Sequence, residues 1–281
     1  MNKLKSNPLG FLFIIIKYIS LIVGAIITLL PLAVIFLASF KTSAEYGSTG
    51  ILELPASFLN FENYIIAFTK GNMLVGFANT FINVSITLLG SMICGTMIAY
   101  ILHRFQFAGR KVILGLFLIA TFIPAITTQV ATFQIMNYFK LFNTRWSVIL
   151  LGLGTDIVSV YIFLQFLDGI SYSLDESAML EGASMLKIYT RIILPLLKPA
   201  IATAVILKTV NLYNDFYSAF LYMPKQRLHV VSTALFKFKG PYGSNWEVIS
   251  AGVVVIIVPT LILFLALQKY IYNGVTAGSV K

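Results

Sequence analysis

Asp175, Glu176 and Glu181 fall within one short run beside Gly182, in a chain that holds only 10 Asp and Glu in 281 residues. Carboxylates so close could share protons, but no histidine or cysteine accompanies them. The basic residues Lys187, Arg191 and Lys198 follow instead. Acid first and base last is the order a helix dipole favours, so the run reads as surface helix rather than as an acid–base pair. The two histidines, His103 and His229, are separated by several apolar stretches, and neither lies in H-E-x-x-H. No G-x-S-x-G nucleophile turn and no G-x-x-x-x-G-K-[ST] phosphate loop occurs. Gly152-Leu153-Gly154 is followed by Ile157 where a dinucleotide turn needs glycine, so it reads as packing. The one cysteine, Cys94, excludes an intrachain disulfide and a thiolate cluster; no metal site is expected. Asn83-Val84-Ser85 matches a glycosylation acceptor only by accident, because it lies inside an apolar stretch.

The elements that carry these residues must be built for lipid. Hydrophobic residues make up 58% of the chain, charged residues 11%, and mean hydropathy is +0.90. A soluble domain is about a quarter charged. The excess of 20 Lys and Arg over 10 acids gives +10, which in a soluble protein would suggest nucleic acid. In a membrane protein it reflects loops, and no nucleic-acid partner is expected. Crossing a bilayer takes about 20 mostly apolar residues. Six stretches of that kind run at 11–40, 77–102, 112–138, 147–167, 199–222 and 247–270. They predict an all-α integral membrane protein with six transmembrane helices in one domain, 1–281. The first stretch follows Lys3 and Lys5 but is too long for a cleavable signal, so it is expected to be retained. An even count puts both termini on one side. The short basic link His103–Lys111 assigns that side to the cytoplasm of a multi-pass cell-membrane protein. Lys41–Gly76 and Met223–Trp246 then lie outside, and Asp168–Lys198 lies inside.

Within 171–193, Gly182 is expected to turn the chain between two short helices, because glycine alone adopts positive φ freely. Leu186, Tyr189 and Ile193 recur at helical spacing and predict one apolar face. Pro195 and Pro199 then fix the angle into the fifth stretch. Glu176-Ser177-Ala178, Glu181-Gly182-Ala183 and Ile193-Leu194-Pro195 together resemble the EAA motif of ABC importer permeases, with Ser177 in place of the usual alanine. Two more segments are similar to the carbohydrate, maltose-type subfamily. One is Leu54–Tyr64, and the other is the tail Gly274-Val275-Thr276-Ala277-Gly278-Ser279-Val280-Lys281. Asn211–Phe216 stands where that subfamily more often has Trp-Asn.

The resemblance implies a type I importer permease fold and a transport subunit rather than an enzyme. It implies partners: a second permease in a heterodimer, two ABC ATPase subunits and an extracellular solute-binding protein. No cofactor is bound by this chain; ATP and Mg²⁺ belong to the ATPase. Glu176, Ser177, Ala178, Glu181, Gly182, Ala183, Leu186 and Pro195 would form the ATPase-coupling segment. Asn83, Gln129, Tyr213, Asn214 and Asp215 are candidates for a carbohydrate path, with Tyr138 and Tyr217 as further aromatic faces. Lys208 and Asp156 could pair inside the membrane. Lys237, Lys239, Gly240 and Tyr242 are candidates for binding-protein contact. The alternatives are a permease for a polyol, glycerol phosphate or peptide, or an ion-coupled secondary transporter.

Overall fold

The computed structural model describes residues 8–124, 126–154, 156–240 and 243–277. Side chains are described from 12 to 265, apart from 125, 155, 241–243 and 263. Tyr242 and the tail residues Gly278 and Lys281 lie outside the described residues. In chain order the helices are α1 (Pro8–Phe40), α2 (Ser43–Ser48), α3 (Glu62–Thr69), α4 (Met73–Arg104), α5 (Arg110–Thr121) and α6 (Gln129–Tyr138). They continue as α7 (Arg145–Leu153), α8 (Ile157–Asp168), α9 (Ser173–Leu180), α10 (Met185–Ile188), a π-turn (Tyr189–Ile193) and α11 (Leu194–Leu196). After these come α12 (Lys198–Asn214), α13 (Tyr217–Tyr222), α14 (Val231–Ala234) and α15 (Trp246–Ala277). A two-residue hairpin, β1 (Lys239–Gly240) with β2 (Gly243–Ser244), pairs Lys239 with Ser244.

Three described helical runs are long and apolar enough to cross a membrane: Leu12–Phe40, Met73–Arg104 and Arg145–Asp168. A fourth is the bent pair Met185–Leu196 and Lys198–Asn214. The expected third stretch, 112–138, is not one helix: it divides into α5 and α6 around Pro124, whose missing N–H and ring interrupt helical bonding. Breaks also divide the fourth stretch before Ile157 and the fifth at Asp215. Each supplies a carboxylate to the freed donors. Asp156 accepts from Val158 N at 3.0 Å and Ser159 Oγ at 3.1 Å, and Asp215 accepts from Ser218 N at 3.0 Å. The expected direct Lys208–Asp156 pair is therefore corrected. Asp156 caps α8, and the buried Lys208 on α12 forms no ion pair with it.

The chain packs into two compact units. One contains the residues up to Asn72 with Leu235–Val258. Here the Leu54–Tyr64 segment has a clear physical task, which is to close the end of α1. Asn63 Nδ2 donates to the carbonyls of Ser39 (2.9 Å) and Lys41 (2.7 Å), and Asn60 Nδ2 donates to Phe40 O (3.1 Å). Those carbonyls would otherwise lack helical partners. Phe58, Phe61 and Tyr64 surround the Phe40 ring at centroid distances of 5.4 to 5.9 Å. Buried Lys41 donates to Thr49 Oγ1 and Gly50 O, each at 2.8 Å. Ser43 bonds Glu247 in the first turn of α15.

The other unit contains Met73–Ala234 and the residues from Pro259 onward. It is organised around α4, against which α7, α8, α12 and α14 pack. In lipid, helices associate through close packing and small residues rather than through hydrophobic exclusion. Gly152 shows this: a Cβ there would lie 2.5 Å from Thr87 Cγ2. The Gly-Leu-Gly fragment is thus a helix contact. The core joins Ala99, Tyr100, Phe163, Leu167, Ala178, Ile188, Tyr189, Ile193 and Leu197.

Candidate functional site

The coupling segment 171–193 forms an elbow. α9 carries Glu176, Ser177 and Ala178, and Gly182 turns the chain at φ +78°. α10 follows, capped by Ser184. Glu176, Ser177, Glu181 and Gly182 are exposed, Ala183 is half-buried and Ala178 is buried. The expected apolar face is corrected in one member. Tyr189 and Ile193 are buried with Ile188, whereas Leu186, two residues before Ile188 and so about 200° from it round an α-helix, is 65% exposed. Leu180 is 91% exposed, so the elbow presents two apolar knobs, Leu180 and Leu186, among carboxylates. Pro195 sits just past the π-turn, and the helices on either side of Leu197 meet at 72°. Its ring cannot accept a regular α turn before it, which accounts for the π-turn, while Pro199, with no N–H to donate to the Pro195 carbonyl, accounts for the bend. Pro195 also lines an apolar cleft of about 660 Å³ between α4 and the start of α12.

A buried cluster that the acidic run did not reveal fixes this elbow to α4. Asp175, 1% exposed, lies 3.2 Å from the guanidinium of Arg104, 5% exposed. Arg104 also donates to Ile170 O at 3.0 Å and lies over the Tyr172 ring at 5.5 Å. Tyr100 OH reaches Asp175 Oδ1 at 3.5 Å, and Thr96 Oγ1 meets Tyr189 OH at 2.8 Å. Beside the cluster, His103 meets Asp168 at 2.9 Å on the surface. The available signal was that Thr96, Tyr100 and Arg104 recur every four residues on one face of α4.

The proposed path residues divide. Asn83, Tyr213 and Asp215 line one small cavity with Thr80 and Thr87. Asn83 is 5% exposed, and neither its Oδ1 nor its Nδ2 has a partner. Gln129 lies elsewhere, in a cleft of about 510 Å³ with Thr128, Ser218 and Tyr222, where it accepts from Tyr217 OH. Asn214 is exposed and lines neither, and Tyr138 is 82% exposed beside Phe139. Asn79, one turn before Asn83, is fully engaged. Its amide donates to Arg227 O (2.9 Å) and His229 O (2.7 Å) and accepts from Arg145 (2.7 Å), so it anchors the 227–229 segment.

Among the binding-protein candidates, Lys239 and Gly240 form the exposed strand β1. Lys237 lies over the Phe238 ring at 5.7 Å, and partial burial lowers its ammonium from the ordinary value.

The family of binding-protein-dependent transport system inner membrane components matches residues 91–277, a span that includes the elbow and α12. The chain belongs to that family. It is a multi-pass membrane transport subunit, as the EAA resemblance implied. An arabinooligosaccharides transport system permease protein of Halalkalibacterium halodurans is 33% identical over 260 residues, 92% of each chain. A probable starch degradation products transport system permease protein of Thermoanaerobacterium thermosulfurigenes is 32% identical, covering 94% of this chain and 97% of the relative. A bacterial ABC transporter involved in import of the acidic polysaccharide alginate contains a chain of the same fold, with TM-score 0.82 at 22% identity over 94% of this chain and 98% of that one. These relatives are transport subunits rather than enzymes, and the all-α permease fold agrees with the solved neighbour.

Proposed function

We propose that this chain is one permease of a heterodimeric ABC importer for oligosaccharides, with both termini in the cytoplasm. The elbow carries the reading. Its exposed Glu176 and Glu181, the Gly182 turn and the protruding Leu180 and Leu186 suit a groove on an ATPase subunit. A charged, acidic face suits an anionic lipid surface poorly. The substrates in the relatives' names, arabinooligosaccharides and starch degradation products, support a carbohydrate cargo. Closure of two ATPase subunits, which hold the ATP and Mg²⁺, would move the elbows and with them the helices that line the path. Asn83, Tyr213 and Asp215, with Gln129 and Tyr217, offer amide, carboxylate and aromatic groups of the kind that hold neutral, hydroxyl-rich molecules.

Reconstitution with the partner permease, the ATPase and the solute-binding protein tests this. ATP-dependent uptake of an oligosaccharide that needs all partners is the expected result. Uptake by this chain alone, driven by an ion gradient, would make it a secondary transporter. The β1–β2 hairpin is proposed to touch the solute-binding protein. Deleting Gly240–Gly243 is then expected to lower binding-protein-stimulated ATP turnover while leaving basal turnover unchanged; unaltered stimulation would remove the hairpin from the docking surface.

A further inference from the structure

We propose that Thr96, Tyr100 and Arg104 of α4 form a grip that makes the elbow and α4 move as one body, so that α4 carries elbow movement across the membrane to Asn83. The inference rests on the importer reading and adds the element that transmits its motion. Three observations carry it.

The first is the spacing. The three residues lie one turn apart on one face, and between them they hold two parts of the elbow. Arg104 and Tyr100 engage Asp175 on α9, and Thr96 engages Tyr189 in the π-turn. The Tyr100 and Tyr189 rings lie 5.3 Å apart between them. Both helices of the elbow are thereby tied to a single rod.

The second is burial. At 5% and 1% exposure, Arg104 and Asp175 cannot exchange each other for water; Asp175 Oδ2 meets Arg104 Nη2 at 3.2 Å without hydrogen-bond geometry, and Arg104 Nε has no hydrogen-bond partner. A buried pair with unmet hydrogen-bonding capacity gives little net stability against an apolar replacement. Stability therefore explains it poorly, whereas a fixed register between two elements explains it well.

The third is the rod itself. Of the described spans in this unit, α7 with α8 and α12 with α13 break midway, whereas α4 runs from Met73 to Arg104 with no proline and no break. Arg104 and Asn83 are 21 residues apart on it, or about 31 Å at 1.5 Å per residue, close to the thickness of the hydrocarbon core. Asn83, with its unpartnered amide, lies on the same rod at that distance.

The test uses the complete reconstituted importer carrying the apolar double variant Arg104→Met with Asp175→Leu, which removes both charges and leaves apolar side chains in their place. Spin labels at Leu174 and Ile101, on a Cys94→Ser background, report the distance between α9 and α4 without nucleotide. The expected result is a broadened distance distribution and about a tenfold fall in molecules imported per ATP, with turnover retained, in line with ordinary coupling energies. The exchanged pair Arg104→Asp with Asp175→Arg is expected to restore part of both. Should the double variant fail to assemble, Tyr100→Phe, which deletes one hydroxyl, is expected to lower the import ratio by about twofold, a smaller effect on the same coupling scale. An unchanged distance width with an unchanged import ratio would overturn the grip. Absence of ATP-driven uptake in the wild type would instead sink the importer reading, and the label distances would still decide whether the elbow is gripped.

Discussion

Gly182→Asp is expected to lower ATP-driven uptake by about 30-fold or more, the factor that 2 kcal/mol at the centre of an interface represents. The variant should still insert and fold. At φ +78° an aspartate costs about 1–2 kcal/mol of backbone energy and is among the residues that visit this region. No atom lies within 4 Å of the position its Cβ would take. Since the site is open in this chain, the added side chain and charge act on whatever docks there. ATPase retained by the purified permease and initial uptake rates are the measurements. Glu176→Lys, also exposed on the elbow, is expected to act in the same direction. Wild-type retention of the ATPase together with normal uptake in Gly182→Asp would rule out docking through the elbow.

The second large effect is expected at Asn83. A buried amide without partners costs about 1–3 kcal/mol, so replacing it with leucine should leave thermal stability unchanged or higher. Uptake is nevertheless expected to fall about tenfold, because a site that hydrogen-bonds its cargo loses about that factor or more with one donor–acceptor group. Asn79→Leu is the control. It removes three hydrogen bonds that hold the 227–229 segment, so it should lower the melting temperature, with uptake falling only as folded protein is lost. If Asn83→Leu transports normally, or loses stability as Asn79→Leu does, its cavity is not part of the path. Asp215→Ala is a poorer probe, because Asp215 also caps α13 through Ser218.

The Asn79 and Asn83 contrast shows where sequence reading ends. In the sequence the two are equivalent amides one helical turn apart, but whether each amide finds a partner depends on the 227–229 backbone, about 150 positions away in the chain. The helix breaks were partly legible. Pro124 announces one by its chemistry, whereas in sequence Asp156 reads as an intramembrane charge and Asp215 as a path residue, and only the folded chain shows them capping freed N–H groups. Helical spacing alone groups Leu186 with Tyr189 and Ile193, but which side of α10 meets α4 is set by packing, and that side carries Ile188.

What the sequence by itself determined follows from local and additive properties. Apolar length and sparse charge set the membrane class, glycine and proline set the elbow, and the acids before it with bases after it marked the coupling segment. These depend on the residues of one stretch and their solvent. Tertiary structure alone decided that Asp175 is buried on Arg104 while its neighbour Glu176 faces outward, and that α4 links the elbow to Asn83. Such choices are set by how helices rotate and approach one another, and no single stretch contains that information.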